Sequence, residues 1–489
     1  MADTSKEEEM GISAAVPALE PHSIFTPVQK GVIVSIVAIA GSFSAFSSNI
    51  YFPAIPSIAD NLGVSPEDVN LTVTTYLIFQ GLSPSIWGAM ADVHGRRVTY
   101  MVTFIIYIGA CIGLAQTKHF YQLVILRCLQ STGSASTIAI GAGVVGDITT
   151  REGRGGYMGI YQAGLLGPVA IGPVLGGIFA QTLGWRAVFW FLTIFSGIVL
   201  VVLFFFLPET LRSLVGNGSV PARGLASSPI AYIQRRRMAK LENADISTPV
   251  IISKKKTPVN ILGPLWLIVG LEVTYIIFHL GAAYSSWQAT MTVMSTLFKK
   301  TYRLTDLQIG LTFIANGFGA VLGSVTTGKF LDLDYRRIKA KYTGPPGDFA
   351  LENARLRTVW LWSGMQCAAV LIFGWTLQYH VHIAVPIICT LFIGWGATSV
   401  VITVSTFMVD VFPDQSASAT AALNLVRCLM AAGATAGVLP VVNAIGVGWT
   451  FSLVFFIELA CLSLLALQLG LGAKRRKIRE EREKIEARE

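Results

Sequence analysis

The sequence predicts an all-α membrane protein with twelve transmembrane helices in two six-helix halves. The chain of 489 residues is 53% hydrophobic and only 13% charged, and its mean hydropathy of +0.60 is too high for an ordinary soluble domain. Twelve stretches are apolar over the roughly 20 residues that a bilayer crossing needs. A short pattern of one acid and two arginines also occurs once in each half.

The predicted spans are numbered here in chain order. They cover 30–52, 69–90, 98–116, 121–146, 157–180, 187–207, 264–288, 308–330, 358–378, 382–410, 417–439 and 449–472. Between spans 6 and 7 the chain is polar, rich in Gly, Ser and Pro, and without apolar periodicity, which predicts a linker. The expected organisation is an N-terminal tail 1–29, an N-terminal half 30–207, a linker 208–262, a C-terminal half 263–472 and a basic tail 473–489.

Lysine and arginine are distributed unequally between the predicted loops. The loops after spans 2, 4, 6 and 8 contain twenty Lys and Arg residues, whereas the odd-numbered loops contain five. Because cytoplasmic loops carry this excess, both termini are predicted to be cytoplasmic. The net charge of +9 follows from that topology and does not indicate nucleic-acid binding, which favours basic residues interleaved with aromatics on a folded domain.

Other function classes find little support in the sequence. The first 29 residues lack the apolar core of a secretory signal, so span 1 is expected to be a permanent helix. The six cysteines lie scattered within predicted spans and lack metal-ligand spacing, which predicts neither a disulfide framework nor a metal site. The sequence contains no H-E-x-x-H, G-x-S-x-G or phosphate-loop motif, so we predict that the protein is not an enzyme.

The repeated pattern lies after the second span of each half. GAMADVHGRR and GKFLDLDYRR have the same spacing, and internal repetition of six-span halves is typical of transporters. The first copy resembles the loop motif G-x-x-x-D-x-x-G-[RK]-[RK] of the major facilitator superfamily, in which the acid and the arginines form a lock that favours one access state. The matching residues are Gly88, Asp92, Gly95, Arg96 and Arg97. In the second copy Tyr335 replaces the second glycine, which predicts a degenerate motif.

Three further segments resemble motifs of the same superfamily. Arg127 and Gln130 match its fourth-span motif R-x-x-Q-G, although Ser131 stands where glycine is usual. Asp147 and Arg154 match the element that closes this span and are expected to support the lock. The fifth span resembles the antiporter motif, which the family associates with proton-coupled export, through Gly159, Gly172, Pro173, Gly176 and Gly177. Such glycines also let helix backbones approach closely in lipid.

SSNIYFPAIPSIA, GWRAVFWFL and LPETLR resemble the fungal drug:proton antiporter branch, which includes quinidine-resistance exporters and a citrate exporter. The resemblance implies a monomer in the plasma membrane that exports a small molecule by alternating access. The proton gradient would be its energy source, with no cofactor. Many aromatic residues favour a drug or secondary metabolite as substrate, while arginines within the spans are compatible with a dedicated organic-acid exporter.

Ionisable residues inside predicted spans are costly and are therefore functional candidates. Arg127 is expected to take part in proton transfer, as the resemblance implies, or to make a structural hydrogen bond. Glu272 lies in span 7 and is either a proton site or half of a fixed ion pair. His279, two helical turns further on, either titrates or is simply hydrogen-bonded.

Arg427 lies midway along predicted span 11. A permanent cation at that depth suits an anionic substrate or neutralises an acid such as Glu272, and the sequence leaves both open. The polar side chains that we expect to line a substrate cavity, each with an interhelical hydrogen bond as the alternative, are Asn424, Asn316, Gln80, Gln130 and Tyr76.

Overall fold

The computed structural model describes residues 23–150, 154–220, 222, 226–229, 273–342, 351–412 and 416–486. Within these residues every regular element is helical, and twelve of the helices have 20 residues or more. In chain order, spans 1 to 12 are Pro27–Asn49, Pro66–His94, Arg96–Ala115, Phe120–Ile148, Arg154–Thr182, Arg186–Phe206, Thr274–Tyr302, Asp306–Lys341, Val359–Gln378, Ala384–Val411, Ser416–Ile445 and Val447–Glu486. The all-helical fold class is thereby confirmed. Most of the linker, most of the N-terminal tail and Glu272 lie outside the described residues.

Ten of the described helices are long and apolar enough to cross a membrane. The predicted end of span 7 is wrong: we expected it to end at 288, but the helix continues to Tyr302. The polar run in its second half suggested an end, yet these side chains are buried against other helices rather than exposed to lipid, as Thr290, Thr292 and Ser295 show. Spans 8 and 12 also continue as helices beyond their predicted ends.

Equivalent spans of the two halves begin in the same way. Span 2 is capped by Ser65 and span 8 by Thr305, each with a reciprocal hydrogen bond from the third residue of the helix, Asp68 and Gln308 respectively. These capping boxes satisfy backbone N–H groups that the first helical turn leaves free. The shared cap fixes the same starting point for the span that precedes each copy of the repeated motif.

The two halves meet where span 5 packs on span 8 and span 2 packs on span 11. The first crossing is backbone against backbone: a Cβ atom on Gly177 would lie 2.5 Å from the Asp306 carbonyl oxygen, and one on Gly310 would lie 2.6 Å from that of Pro173. Only glycine permits this approach. Close packing of small residues is what holds helices together in lipid, where burial of apolar surface contributes little.

We call the end of the bundle that carries Arg96 and Arg355 the basic end. At the opposite end, polar contacts join the halves directly. Lys299 Nζ lies 2.9 Å from an Asp60 carboxylate oxygen, and the Asn443 amide donates to a Glu67 carboxylate oxygen at 2.5 Å. The Leu307 N–H donates to the Gln181 side chain at 3.0 Å. The two halves are therefore in direct contact at this end of the bundle.

Candidate functional site

The loop between spans 2 and 3 is a single residue. Span 2 ends at His94 and span 3 starts at Arg96, with Gly95 between them at φ 104° and ψ 147°. This conformation is essentially restricted to glycine. The Glu209 carboxylate accepts the Arg96 N–H at 2.9 Å and the Arg97 N–H at 3.2 Å. An acid from the segment after span 6 thus binds the first free N–H groups of span 3, where the helix dipole favours a negative charge.

Arg96 makes two ion pairs at the basic end of the N-terminal half. One guanidinium nitrogen lies 2.7 Å from an Asp92 carboxylate oxygen, and its Nε lies 3.1 Å from an Asp147 oxygen. The Arg96 side chain is 10% exposed and that of Asp147 is 15% exposed, whereas Asp92 is 58% exposed. The Arg96–Asp147 pair is therefore largely buried, and Asp92 lies between Arg96 and the solvent.

Arg97 has a different environment from the one that the motif suggested. Its guanidinium donates to the Leu203 carbonyl oxygen at 3.0 Å, to those of Leu207 and Phe204, and stacks on the Phe204 ring at 5.6 Å. It thus binds carbonyl groups at the C-terminal end of span 6, where the helix leaves its last carbonyls without intrahelical partners. Arg154 begins span 5, but its side chain lies outside the described part. A Cβ atom on Gly88 would lie 3.8 Å from the Ala139 Cβ atom, which is an ordinary van der Waals contact.

Arg127 is fully buried in span 4. Its guanidinium carbon lies 4.2 Å from the Tyr51 ring and 4.3 Å from the Tyr76 ring. One nitrogen donates to the Ser47 carbonyl oxygen at 3.1 Å and to Gln130 Oε1 at 2.6 Å, while Nε and the second terminal nitrogen have no hydrogen-bond partner among the described residues. Two aromatic faces stabilise this buried cation, and two of its nitrogens stay free to bind an anion.

Arg427 forms a similar site in the other half. Its guanidinium carbon lies 4.8 Å from the Tyr284 ring, one nitrogen donates to Asn424 Oδ1 at 2.8 Å, and Nε has no partner in the described part of the chain. The Asn424 amide donates across the interface to the Gln80 carbonyl oxygen at 3.0 Å. Gln80 lies one helical turn from Tyr76, which stacks on Arg127, so the two arginine sites adjoin at the contact between halves.

Within the described residues, neither arginine pairs with a carboxylate. Each relies on neutral hydrogen-bond acceptors and aromatic rings. A buried cation without a counter-ion is expensive, and a bound anion would lower that cost. Arg427 as a partner of Glu272 stays a prediction, because Glu272 is outside the described residues.

The remaining predicted cavity residues differ in what they contact. The Tyr76 hydroxyl and the Gln80 amide both bind Ser44 at 3.0 Å, beside the Arg127 site. The Gln130 amide also donates to Cys111 Sγ at 3.3 Å. Asn316 accepts from Trp287 Nε1 and donates to the Thr390 carbonyl oxygen. These contacts agree with the interhelical hydrogen bonds that the sequence offered as the alternative, and a role of Asn316 in the cavity stays a prediction.

His279 is buried in span 7, where its Nε2 lies 2.9 Å from Ser363 Oγ of span 9. This contact agrees with the hydrogen-bonded alternative and leaves titration open. Of the antiporter-motif residues, Gly172 and Gly176 face the end of span 1 and Gly177 faces span 8, whereas Gly159 has open space around it. Pro173 contributes its carbonyl group to the close approach of Gly310.

Two residues of these sites, and one buried acid outside them, escaped the sequence reasoning. Tyr51 and Glu209 lay in segments that we used only for their family resemblance. Glu458 of span 12 is 1% exposed, and its signal was plain: it is a carboxyl inside an apolar span, which the rule on intramembrane ionisable residues selects.

Two pseudo-equivalent helical halves, ion pairs at one end and buried cations at their contact define a membrane transporter. The chain belongs to the Major Facilitator Superfamily, whose family model matches residues 37–435. It is 39% identical over 480 residues to Citrate exporter 1 of Aspergillus niger, covering 96% of this chain and 90% of that protein. It is 35% identical over 445 residues to the MFS antiporter QDR2 of Candida albicans, covering 89% of this chain and 87% of that protein.

A solved structure has the same fold. The human organic anion transporter MFSD10 (TETRAN) superposes with a TM-score of 0.57 at 18% sequence identity, covering 90% of this chain and 100% of that one. At that identity the likeness establishes the fold alone. The sequence-based assignment to this superfamily and to its twelve-helix fold is confirmed.

Proposed function

We propose that this transporter is a proton-coupled antiporter that exports drugs or a small secondary metabolite by alternating access. The relatives named as an exporter and an antiporter support this proposal. So does the glycine-lined crossing of spans 5 and 8, where the two halves can rotate against each other without opening a void. In this proposal the basic end faces the cytoplasm, the protein is a monomer of the plasma membrane, and it catalyses no chemical reaction.

The buried arginines favour one kind of substrate. Arg127 and Arg427 lie in different halves, and among the described residues two guanidinium nitrogens of Arg127 and one of Arg427 have no partner. A carboxylate or similar anion can receive hydrogen bonds from such nitrogens, and charge-assisted bonds of this kind are about twice as strong as neutral ones. A dedicated organic-acid exporter is therefore the second candidate function. An acidic secondary metabolite would be a substrate consistent with both candidate functions.

Efflux from yeast cells that lack their own drug exporters tests the proposal. Cells loaded with rhodamine 6G, as a cationic dye, and with labelled citrate, as an anion, are followed with and without a protonophore. We expect efflux of at least one probe that the protonophore abolishes. Efflux that persists at full rate without a proton gradient would contradict antiport.

An Arg427→Gln variant distinguishes an anionic from a cationic substrate, because export of citrate and of rhodamine 6G is measured for the same protein. If the cation binds substrate, export of citrate falls by about tenfold, the effect of losing roughly 1.4 kcal/mol of binding, while export of rhodamine 6G is unchanged. Equal losses for both probes would show that Arg427 has a structural or coupling role instead. Asp68→Asn, at the cap of span 2, is a suitable control because it leaves the arginine sites untouched.

A further inference from the structure

The C-terminal half contains a carboxyl group that no contact neutralises. Glu458 lies near the middle of Val447–Gly470, an apolar stretch of span 12. Its side chain is buried, with 1% of the residue exposed. Neither carboxyl oxygen has a hydrogen-bond partner at good geometry in the described part of the protein. An apolar side chain of similar size would pack in this position equally well, so packing does not explain the carboxyl group.

The neighbours of Glu458 are polar but uncharged. Ser286 of span 7 and Cys367 of span 9 lie beside the carboxyl, and Cys461 lies one turn further along span 12. The arginines of the other elements that pack on span 12 are directed elsewhere. Arg427 of span 11 contacts Tyr284, and Arg355 of the short helix Leu351–Leu356 pairs with Asp410.

An ionised carboxylate at this place would lack both water and a cation. Transfer of an isolated carboxylate into such surroundings costs so much that the group binds a proton instead. In this conformation Glu458 is therefore a neutral carboxylic acid. It becomes a carboxylate when a rearrangement of spans 7, 9 and 12 admits water, because hydration then stabilises the charge.

Polar groups lead from Glu458 toward the basic end. The Gln366 amide donates to the Ala283 carbonyl oxygen at 2.7 Å and to Ser286 Oγ at 3.3 Å. Closer to the basic end, the His279 ring contacts the Cys461 backbone and binds Ser363. These groups lie between spans 7, 9 and 12, which otherwise pack through apolar side chains.

We propose that Glu458 is the carboxyl that carries the coupling proton, with His279 on its path to the basic end. This inference rests on the proposed proton antiport. The carboxylate takes a proton from the water on one side of the membrane, becomes the neutral acid that its buried surroundings favour, and returns the proton to the water on the other side. One proton is bound and released in each cycle, and no covalent bond other than O–H forms or breaks.

Purified protein in liposomes tests the assignment with rhodamine 6G and citrate as probes. Two rates are measured for each probe: accumulation driven by an imposed pH gradient, and exchange of labelled for unlabelled probe without a gradient. For Glu458→Gln, which mimics the protonated acid, we expect driven accumulation to fall by about tenfold or more while exchange persists, since only the proton step is removed. Glu458→Asp, which keeps the carboxyl, should restore part of the driven transport.

An infrared titration gives a readout that does not depend on transport. The carbonyl stretch of a protonated carboxylic acid should be present in the wild type at neutral pH and missing from Glu458→Gln. Driven accumulation in Glu458→Gln equal to that of the wild type would overturn the assignment. Loss of both rates in Glu458→Gln and Glu458→Asp alike would also overturn it, since the residue would then be structural. Were the wild type to show the infrared band but no proton-driven transport, the proposed antiport itself would fail.

Discussion

The two copies of the repeated motif have the same spacing but different structures at the basic end. In the first copy, Gly95 at φ 104° ends span 2 and starts span 3 within one residue. In the second copy Tyr335 occupies the corresponding place, and span 8 continues as one helix to Lys341. Because tyrosine does not adopt the glycine conformation without strain, the chain cannot break there.

The C-terminal half nevertheless keeps an ion pair at this end. Arg355, from the short helix before span 9, pairs with Asp410 at 2.7 Å and stacks on the Tyr335 ring at 4.2 Å. Arg336 and Arg337, the arginines of the motif itself, are exposed. Asp410 near the end of span 10 corresponds to Asp147 near the end of span 4. The acid of each pair thus occupies an equivalent place, while the arginine comes from a different element.

The comparison teaches that the glycine, rather than the charges, makes the first copy a compact cluster of ion pairs. The break at Gly95 brings Arg96 between Asp92 and Asp147 and exposes the N–H groups that Glu209 binds. Without a break, the second copy leaves its arginines in solvent. We expect substitutions in the first copy to have larger effects than matched substitutions in the second.

The largest effect is expected for Gly95→Ala. A Cβ atom there would collide with the Glu209 carboxyl, and the backbone conformation is strained for alanine, which together destabilise the fold by about 1–3 kcal/mol or more. Gly328→Ala, the same substitution at the first residue of the second copy, is the control, because Gly328 lies inside a helix with nothing within 4 Å of the added atom. Thermal unfolding of the two purified variants measures the difference. Equal melting temperatures would refute this account of Gly95.

The architecture could be predicted from sequence because its signals are local. Apolar length, loop charge and the repeated motif each depend on residues close in the chain. Glu209 could not be predicted in the same way: it binds the Arg96 N–H across a separation of 113 residues, and no periodic pattern encodes such a pairing. The predicted end of span 7 was wrong for a related reason. Its polar side chains are buried between helices, and hydropathy alone does not distinguish such residues from those of a loop.

The next effect compares Asp147 and Asp410, the equivalent acids of the two halves. Asp147→Asn removes the carboxylate from a pair in which Arg96 is 10% exposed, and loss of one partner of a buried pair costs up to about 3–5 kcal/mol. Asp92 remains to bind Arg96, so we expect a loss below that range, with reduced transport of both probes. Asp410→Asn should cost less, because Asp410 is 31% exposed and water can replace its contact. A larger loss of stability for Asp410→Asn than for Asp147→Asn would contradict the expectation that the first copy is the more sensitive one.

The smallest effect on stability is expected for Asp92→Asn. Asp92 is 58% exposed, and ion pairs in solvent contribute about 0–1 kcal/mol, so the melting temperature should barely change. Transport should still fall, since Asp92 closes the Arg96–Asp147 pair from the solvent side and its loss shifts the balance between access states. Arg336→Gln in the second copy is the control, and transport should be unaffected because Arg336 is exposed. Transport rates are measured in liposomes with equal protein content. If Asp92→Asn transports as well as Arg336→Gln, Asp92 has no part in the balance between access states.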